Sequence, residues 1–376
     1  MRMNHYRLRF LKLLTVLFGS LLAIVVVESS IRLFHLYSED RLIAHHPHYG
    51  VMNIPGASGW FVKGDVRQHV SINSLGLRDH QYDQKQLLNK TILLLGDSFI
   101  SAFQVPLHET CQAVTERILA ETVNEPIEIL PGACNGWGTK NQLEYMEREG
   151  LAHNPVMVVL ALFPDNDLMD NLAPDPLPFP WPPETKRTFT LLTPGYVRTL
   201  LGSNPHVRSI LRNNDTLFRF LHPALYRAEH AVTRGLFHIY SRSPSRIKNR
   251  MWKKLSFYLR AMIRSAEETG AQFAVMIVPG TFAFNPANME QLCRKQPMLE
   301  GAHLDPLAPR IELEDSLVAM GIRWIDLLPE FKRVGTNTND LFYPREGHWN
   351  EKGNRIAAQC LAELIMEGLK RKWRSF

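Results

Sequence analysis

Residues 91–99 read TILLLGDSF. A short run of β-branched and apolar residues, stopped by glycine and showing no alternation, is the pattern of a strand buried on both faces. Such a strand belongs to a parallel sheet, whose crossovers need helices. The chain downstream supplies that alternation. Residues 107–122 carry Val114, Ile118 and Leu119 at helical spacing, Ile127–Leu130 reads as a second strand, and Thr139–Gly150 as a second helix. Val156–Leu162, VMVVLAL, is the most apolar strand of all. The pattern resumes with a helix at Trp252–Gly270, a strand at Phe273–Val278, a helix near Pro309–Met320 and a strand at Arg323–Leu327. A last helix starts near Asn350 and places Ile356, Ala357, Cys360, Leu361, Leu364 and Ile365 on one face. The reading is an α/β fold, a parallel sheet covered on both sides. No internal repeat is visible.

Two stretches break this regularity. Residues 35–90, with Pro47, Pro55, Gly56, Gly59 and Gly64, read as irregular, and 31–90 as a linker and collar ahead of a main domain at 91–376. Residues 168–250 read as an insertion on the rim of the site. Pro174, Pro176, Pro178, Pro180, Pro182 and Pro183 exclude a central strand or a helix interior there.

Open parallel sheets bind ligands beyond the carboxyl ends of their strands. After the first strand comes Gly96-Asp97-Ser98-Phe99, and after the second Gly132 to Thr139 with Asn135-Gly136-Trp137 at its centre. Phe163-Pro164-Asp165-Asn166-Asp167 follows the third, and Arg345-Glu346-Gly347-His348-Trp349-Asn350 precedes the last helix. A hydroxyl, a flexible glycine, a carboxamide and an imidazole thus gather at one sheet edge. Acyl transfer needs that set. A serine hydroxyl is a weak nucleophile until a base takes its proton, and His348 is suited to that task near neutral pH. The oxyanion needs donors already in place: the backbone N–H groups of Ser98 and Gly136, and the Asn166 amide. Glycine at 136 lets backbone approach a substrate closely.

The four blocks, in this order and strand context, resemble the SGNH (GDSL-like) hydrolase superfamily from about residue 73 to 370, the insertion excepted. Asn73-Ser-Leu-Gly-Leu-Arg78-Asp79 and the tail Phe342-Tyr343-Pro344, Gly347-His348-Trp349-Asn350-Glu351-Lys352-Gly353 resemble its membrane-anchored bacterial members. The resemblance implies a three-layer αβα, flavodoxin-like sandwich with a five-stranded parallel sheet. It also implies Ser98 as nucleophile, His348 as base, and Ser98, Gly136 and Asn166 around the oxyanion. Esterases, lipases, carbohydrate acetylesterases and sugar O-acetyltransferases share the superfamily. Neither cofactor nor metal is expected. One position departs from the pattern: the family's aspartate, two or three residues before the histidine, is replaced by Arg345 and Glu346. Glu346 is the nearest substitute for the acid, a methylene longer; without it a Ser98–His348 dyad remains.

Each residue has a plainer reading. A serine after a strand is often only a helix cap, and most of the fifteen histidines must be surface or structural. Asn166 could serve a turn. Asp97 and Asp167 read as structural acceptors, Gly138 as a turn residue, and Trp137 and Trp349 as packing or cleft walls. Arg78 could reach the cleft, and its plainer reading is one arm of a surface or structural salt bridge.

The net charge of +6 is concentrated at the ends. Arg2, Arg7, Arg9 and Lys12 crowd one terminus, and Lys370, Arg371, Lys372 and Arg374 the other. Apart from those eight, 35 basic residues face 37 acidic ones. A nucleic-acid binder would carry its basic patch on the folded body, so that class is set aside. Leu13–Val27 is uncharged and apolar; with its flanks it gives about 27 Å of helix, enough to span a bilayer. Residues 1–12 form its basic flank. The division is therefore a cytoplasmic flank at 1–12, a signal anchor at 13–30 and an exported body, in an inner membrane with the catalytic part periplasmic. A cleaved signal ending at Ser29 is the alternative, without an A-x-A pattern to support it. Cys111, Cys134, Cys293 and Cys360 are too dispersed for a disulfide scaffold; free thiols or one bridge fit. The expected function is an exported, membrane-anchored esterase or O-acyltransferase. Its expected partners are acyl esters or a cell-envelope carbohydrate, the membrane, and a membrane acyl-transfer protein. A catalytically idle domain binding glycan or a membrane partner is the rival from another class.

Overall fold

The computed structural model describes residues 2–34, 42–82, 90–123, 126–172, 235–296, 299 and 301–373. The chain forms two compact units, Met1–Glu39 with Thr185–Arg227, and Asp40–Glu184 with Ala228–Phe376. Of the first, the described part is one helix, α1 (Arg2–Leu33). Its stretch Arg7–Leu33 is long and apolar enough to cross a membrane, with a mean hydropathy of 2.5. The apolar side chains from Leu8 to Val27 stand exposed on every side.

The second unit is built on a five-stranded sheet. Its strands are β5 (Lys90–Gly96), β6 (Ile127–Ala133), β7 (Met157–Leu162), β8 (Gln272–Ile277) and β9 (Arg323–Asp326), in the spatial order β6-β5-β7-β8-β9. Every pairing is parallel. The period of two sorts the β5 side chains between two cores. Ile92 and Leu94 face helices α3 (Cys111–Thr122) and α8 (Glu351–Trp373) through Val114, Ile356, Leu361 and Ile365. Leu93 and Leu95 face α4 (Thr139–Arg148), α6 (Arg246–Glu268) and α7 (Ala308–Ala319) through Leu143, Leu255, Leu259, Leu313 and Leu317. The result is a three-layer αβα sandwich. α6 begins six residues before the Trp252 expected from the sequence, because Ser245 caps it by accepting from the Lys248 N–H at 3.0 Å.

The segment read as irregular holds two antiparallel hairpins among its described residues. β1 (Ile43–His46) pairs with β2 (Gly50–Asn53), and β3 (Ser58–Lys63) with β4 (Val66–Ser71). The second has a two-residue turn, Gly64-Asp65, with Gly64 at φ +63. Glycine followed by aspartate between two β-rich runs is a hairpin signal that the reading of the sequence passed over. Asn53, the last residue of β2, ties the first hairpin to the sheet by donating from Nδ2 to the carbonyl of Ala133 in β6, and to that of Gly76, each at 3.1 Å. The proline-rich run and most of the expected insertion lie outside the described residues.

Candidate active site

β5 ends at Gly96, where a Cβ would fall 2.4 Å from Ile100 Cγ1, so only glycine permits the turn that follows. That turn leads into α2 (Ser98–Ser101), capped by Asp97, whose Oδ1 accepts the Phe99 N–H at 2.9 Å. Ser98 opens the helix with its hydroxyl partly exposed. β5 and β7 flank the point where strand order reverses, which is where such sheets bind ligands.

His348 comes from a tight loop before α8. The Gly347 N–H donates to the Tyr343 carbonyl at 2.8 Å and the Tyr343 N–H to the His348 carbonyl at 2.9 Å. Gly347, at φ +92, makes the reversal. The loop sets His348 Nε2 2.7 Å from Ser98 Oγ, across 250 residues of chain. On the other ring nitrogen, Nδ1 lies 2.7 Å from Glu346 Oε2 and 2.9 Å from Oε1. A carboxylate accepts only, so Nδ1 carries the proton and Nε2 is left to accept from the serine. Burial opposes ionisation of Glu346, but the hydrogen bond and charge of His348 and the ammonium of Lys63 outweigh it and bring its pKa down to about 2.

Asn166 sits in α5 (Pro164–Asp170) and donates from Nδ2 to Asp97 Oδ2 at 3.1 Å, bridging the strand-order reversal beside Ser98. One N–H of that amide remains, and Oδ1 is buried without a partner. Gly136 lies three residues past β6, at φ +84, with open space where a Cβ would stand. The loops after β6 and β7 meet: a Cβ on Gly138 would fall 2.7 Å from Asp170 Cβ, and the Lys140 N–H donates to Asn171 Oδ1 at 3.1 Å. The Gly138 N–H is taken by Asn141 Oδ1 at 3.0 Å, which makes it a helix cap.

The remaining residues singled out in the sequence have structural partners. Asp167 Oδ2 accepts the Phe163 N–H at 2.7 Å. Trp137 and Trp349 are fully buried. Trp137 donates to the Val51 carbonyl at 2.6 Å and Trp349 packs on Phe99. Arg78 is the departure: it makes no surface salt bridge. It is buried, and its guanidinium donates to the carbonyls of Ser101 (3.0 Å), Ala102 and Val105. Burial brings it down to about 9, against the pull of Asp79. It thereby pins the end of α2, where Ala102 is left-handed at φ 46. Two residues near the site had no signal in the sequence. Lys63 Nζ and Gln104 Nε2 both reach Glu346 Oε1, at 3.0 and 3.2 Å.

Burial also raises carboxyls around α5. Asp165 rises to about 7 against a Tyr240 hydrogen bond, and Asp170 to about 7 by burial and then by the charge of Asp97. Among the described residues, no group of three or more His, Cys, Asp or Glu is placed to hold a metal ion. The four cysteines are free, and burial pushes Cys111 and Cys360 up to about 12. A polar cleft of about 610 Å³ opens beside the histidine loop, lined by Asn285, Asn288, Asn337, Thr338, Tyr343 and Arg345 among others. It takes in Glu346 and Gly347 but neither Ser98 nor His348.

The chain carries a three-layer αβα fold of the SGNH-like type together with one apolar N-terminal helix. Residues 245–373, about a third of the chain, match the family described as SGNH hydrolase-like domain, acetyltransferase AlgX. Three solved structures are similar to the chain at 11–12% identity and a TM-score of 0.39. TesA matches over 74% of this chain and 99% of its own. The psychrotrophic esterase EstA from a Pseudoalteromonas species matches over 75% and 100%. A catalytic mutant of an acetylxylan esterase from Geobacillus stearothermophilus matches over 73% and 94%. No curated protein is significantly similar in sequence.

Proposed function

We propose that the protein is an esterase or O-acyltransferase that forms an acyl-enzyme on Ser98. The observation carrying this reading is the unbroken relay from Ser98 Oγ to His348 Nε2 at 2.7 Å, and from Nδ1 to Glu346 at 2.7 Å. A serine proton passes to His348 as Oγ attacks the ester carbonyl. The backbone N–H groups of Ser98 and Gly136 and the free N–H of Asn166 receive the oxyanion. His348 then returns the proton to the departing alcohol. Water, or a sugar hydroxyl, takes the acyl group off Ser98. The likeness of residues 245–373 to an acetyltransferase family favours acetyl as that group.

The proposed setting is extracytoplasmic, with α1 as a single-pass anchor in the inner membrane and residues 1–12 on the cytoplasmic side. The apolar, exposed surface of α1 and the basic residues before it support that setting. Exported or cell-envelope polysaccharide is the proposed substrate, and the amide- and hydroxyl-rich cleft beside the histidine loop supports a polyhydroxylated ligand. A fluorophosphonate probe tests the chemistry, since it reacts only with an activated serine. The expected outcome is labelling of the wild type, and none of Ser98→Ala at an unchanged circular dichroism spectrum. Hydrolysis of short-chain aryl esters should fall by several orders of magnitude in the same variant. An unlabelled wild type would favour an idle glycan-binding domain. Adding oligosaccharide acceptors to the ester assay and looking for acylated sugar separates transfer from hydrolysis.

A further inference from the structure

Glu346 is held by more than the imidazole. Its side chain is fully buried, and both of its oxygens lie near the ring, with Oε1 2.9 Å from Nδ1. Oε2 accepts the His348 backbone N–H at 3.1 Å and stands 2.7 Å from Nδ1. Oε1 accepts from Lys63 Nζ at 3.0 Å and from Gln104 Nε2 at 3.2 Å. Lys63 is the last residue of β3, in the hairpin ahead of the sheet. The next residue makes a second, independent contact with the same loop. A Cβ on Gly64 would fall 2.9 Å from Arg345 Cβ and 3.0 Å from the Arg345 carbonyl carbon, so the hairpin tip rests on the backbone beside the acid.

We propose that Lys63 is a positioning residue, which from the β3–β4 hairpin holds the Glu346 carboxylate in place against His348 Nδ1. The hairpin is then a working part of the site. This rests on the reading of Ser98 and His348 as nucleophile and base. A glutamate has one more rotatable bond than the aspartate usual at this place, so its carboxylate is freer to swing off the ring. An ammonium and an amide on Oε1 hold it there, with both oxygens within 2.9 Å of Nδ1. The Lys63 side chain is 56% exposed, so solvent screens the ammonium and the bare ion pair adds little to stability. Its effect falls on orientation, and on offsetting the cost of a buried carboxylate.

The test uses the full-length protein in detergent. It compares fluorophosphonate labelling rates, and kcat and KM on p-nitrophenyl acetate, for the wild type, Lys63→Met, Lys63→Arg and Ser98→Ala. Lys63→Met is expected to lower kcat and labelling rate by roughly tenfold with KM within about twofold, a smaller loss than removal of the acid itself. Lys63→Arg, which keeps the cation and its donors, should recover to within about threefold of wild type. A Lys63→Met protein that works at the wild-type rate overturns the proposal while the Ser98 reading stands. So does an equal loss in both lysine variants, which would mean packing alone. A wild type left unlabelled, or labelled equally in Ser98→Ala, overturns the reading of the site and this proposal with it.

Discussion

The glutamate at 346 shows how much one methylene changes. By family pattern alone, aspartate at this position looks like a restoration. The structure argues otherwise, because the longer side chain reaches His348 with both oxygens while Oε1 also accepts from Lys63 and Gln104. Shortening it pulls the carboxylate from one set or the other, so Glu346→Asp is expected to lose roughly tenfold in kcat. Glu346→Gln should lose more, by roughly two to four orders of magnitude, since it removes the charge that stabilises the imidazolium. Steady-state kinetics of the two variants on one aryl ester checks both. If the glutamine enzyme stays within threefold of wild type, a Ser98–His348 dyad is at work. The same carboxylate has a stability signature. Its folded pKa of about 2 lies below the ordinary value of 4.5, so its contribution is present above 4.5 and is lost as pH falls toward 2. The full shift corresponds to on the order of 3 kcal/mol. Melting curves between pH 6 and pH 2.5 should show Glu346→Gln losing less stability on acidification than the wild type.

Helix α2 has four residues, too short to hold itself, and its position depends on what grips its ends. Asp97 caps the start and Arg78 closes the end on three carbonyls. Arg78→Met keeps the length and removes the donors, leaving buried carbonyls unsatisfied. The expected cost is about 2–4 kcal/mol. It should be read as a lower melting temperature, and as a kcat loss, because the segment that slackens carries Ser98. A variant that melts with wild type would show that water replaces the guanidinium. Asp97 has a different role: it holds the Asn166 amide as well as the cap. Asp97→Asn keeps a good cap and weakens the grip on Asn166. Its expected signature is a fall in kcat with melting within a few degrees of wild type.

Across the molecule, exposed apolar surface is concentrated at the N-terminal helix and the basic excess at the two termini, while the chain between them has nearly balanced charge. If α1 supplies attachment and no chemistry, a chain lacking residues 1–34 is expected to fold, to remain in the supernatant after ultracentrifugation, and to keep wild-type kcat on soluble esters. A truncated protein that is folded but still sediments with vesicles would show a second membrane contact. Truncation at residue 90 should behave differently. It removes Lys63 and the Asn53 bridge to β6, so loss of activity is expected together with loss of stability.

The five strands and the helices around them were readable because their signals are local. Apolar runs, helical spacing and the glycines that end strands all lie within a few residues of what they specify. The last helix shows this well, since the face predicted from Ile356, Ala357, Leu361 and Ile365 is the face buried in the core that it shares with α3 and the sheet. The candidate site was readable in part, because an α/β sheet delivers the residues after its strands to one edge whatever else the chain does. The β3–β4 hairpin was also written locally, in Gly64-Asp65, but the prolines and glycines around it hid the pairing. Other features had no local signature. Lys63 lies 283 residues from Glu346, and Gln104 242 residues from it. Among the described residues Arg78 forms no ion pair within salt-bridge distance and donates to carbonyls instead. A long polar side chain can satisfy itself in many ways, and its partner depends on which distant backbone the folded chain brings within 3 Å. Local sequence carries periodicity; the pairing of buried polar groups exists only once the chain has closed around them.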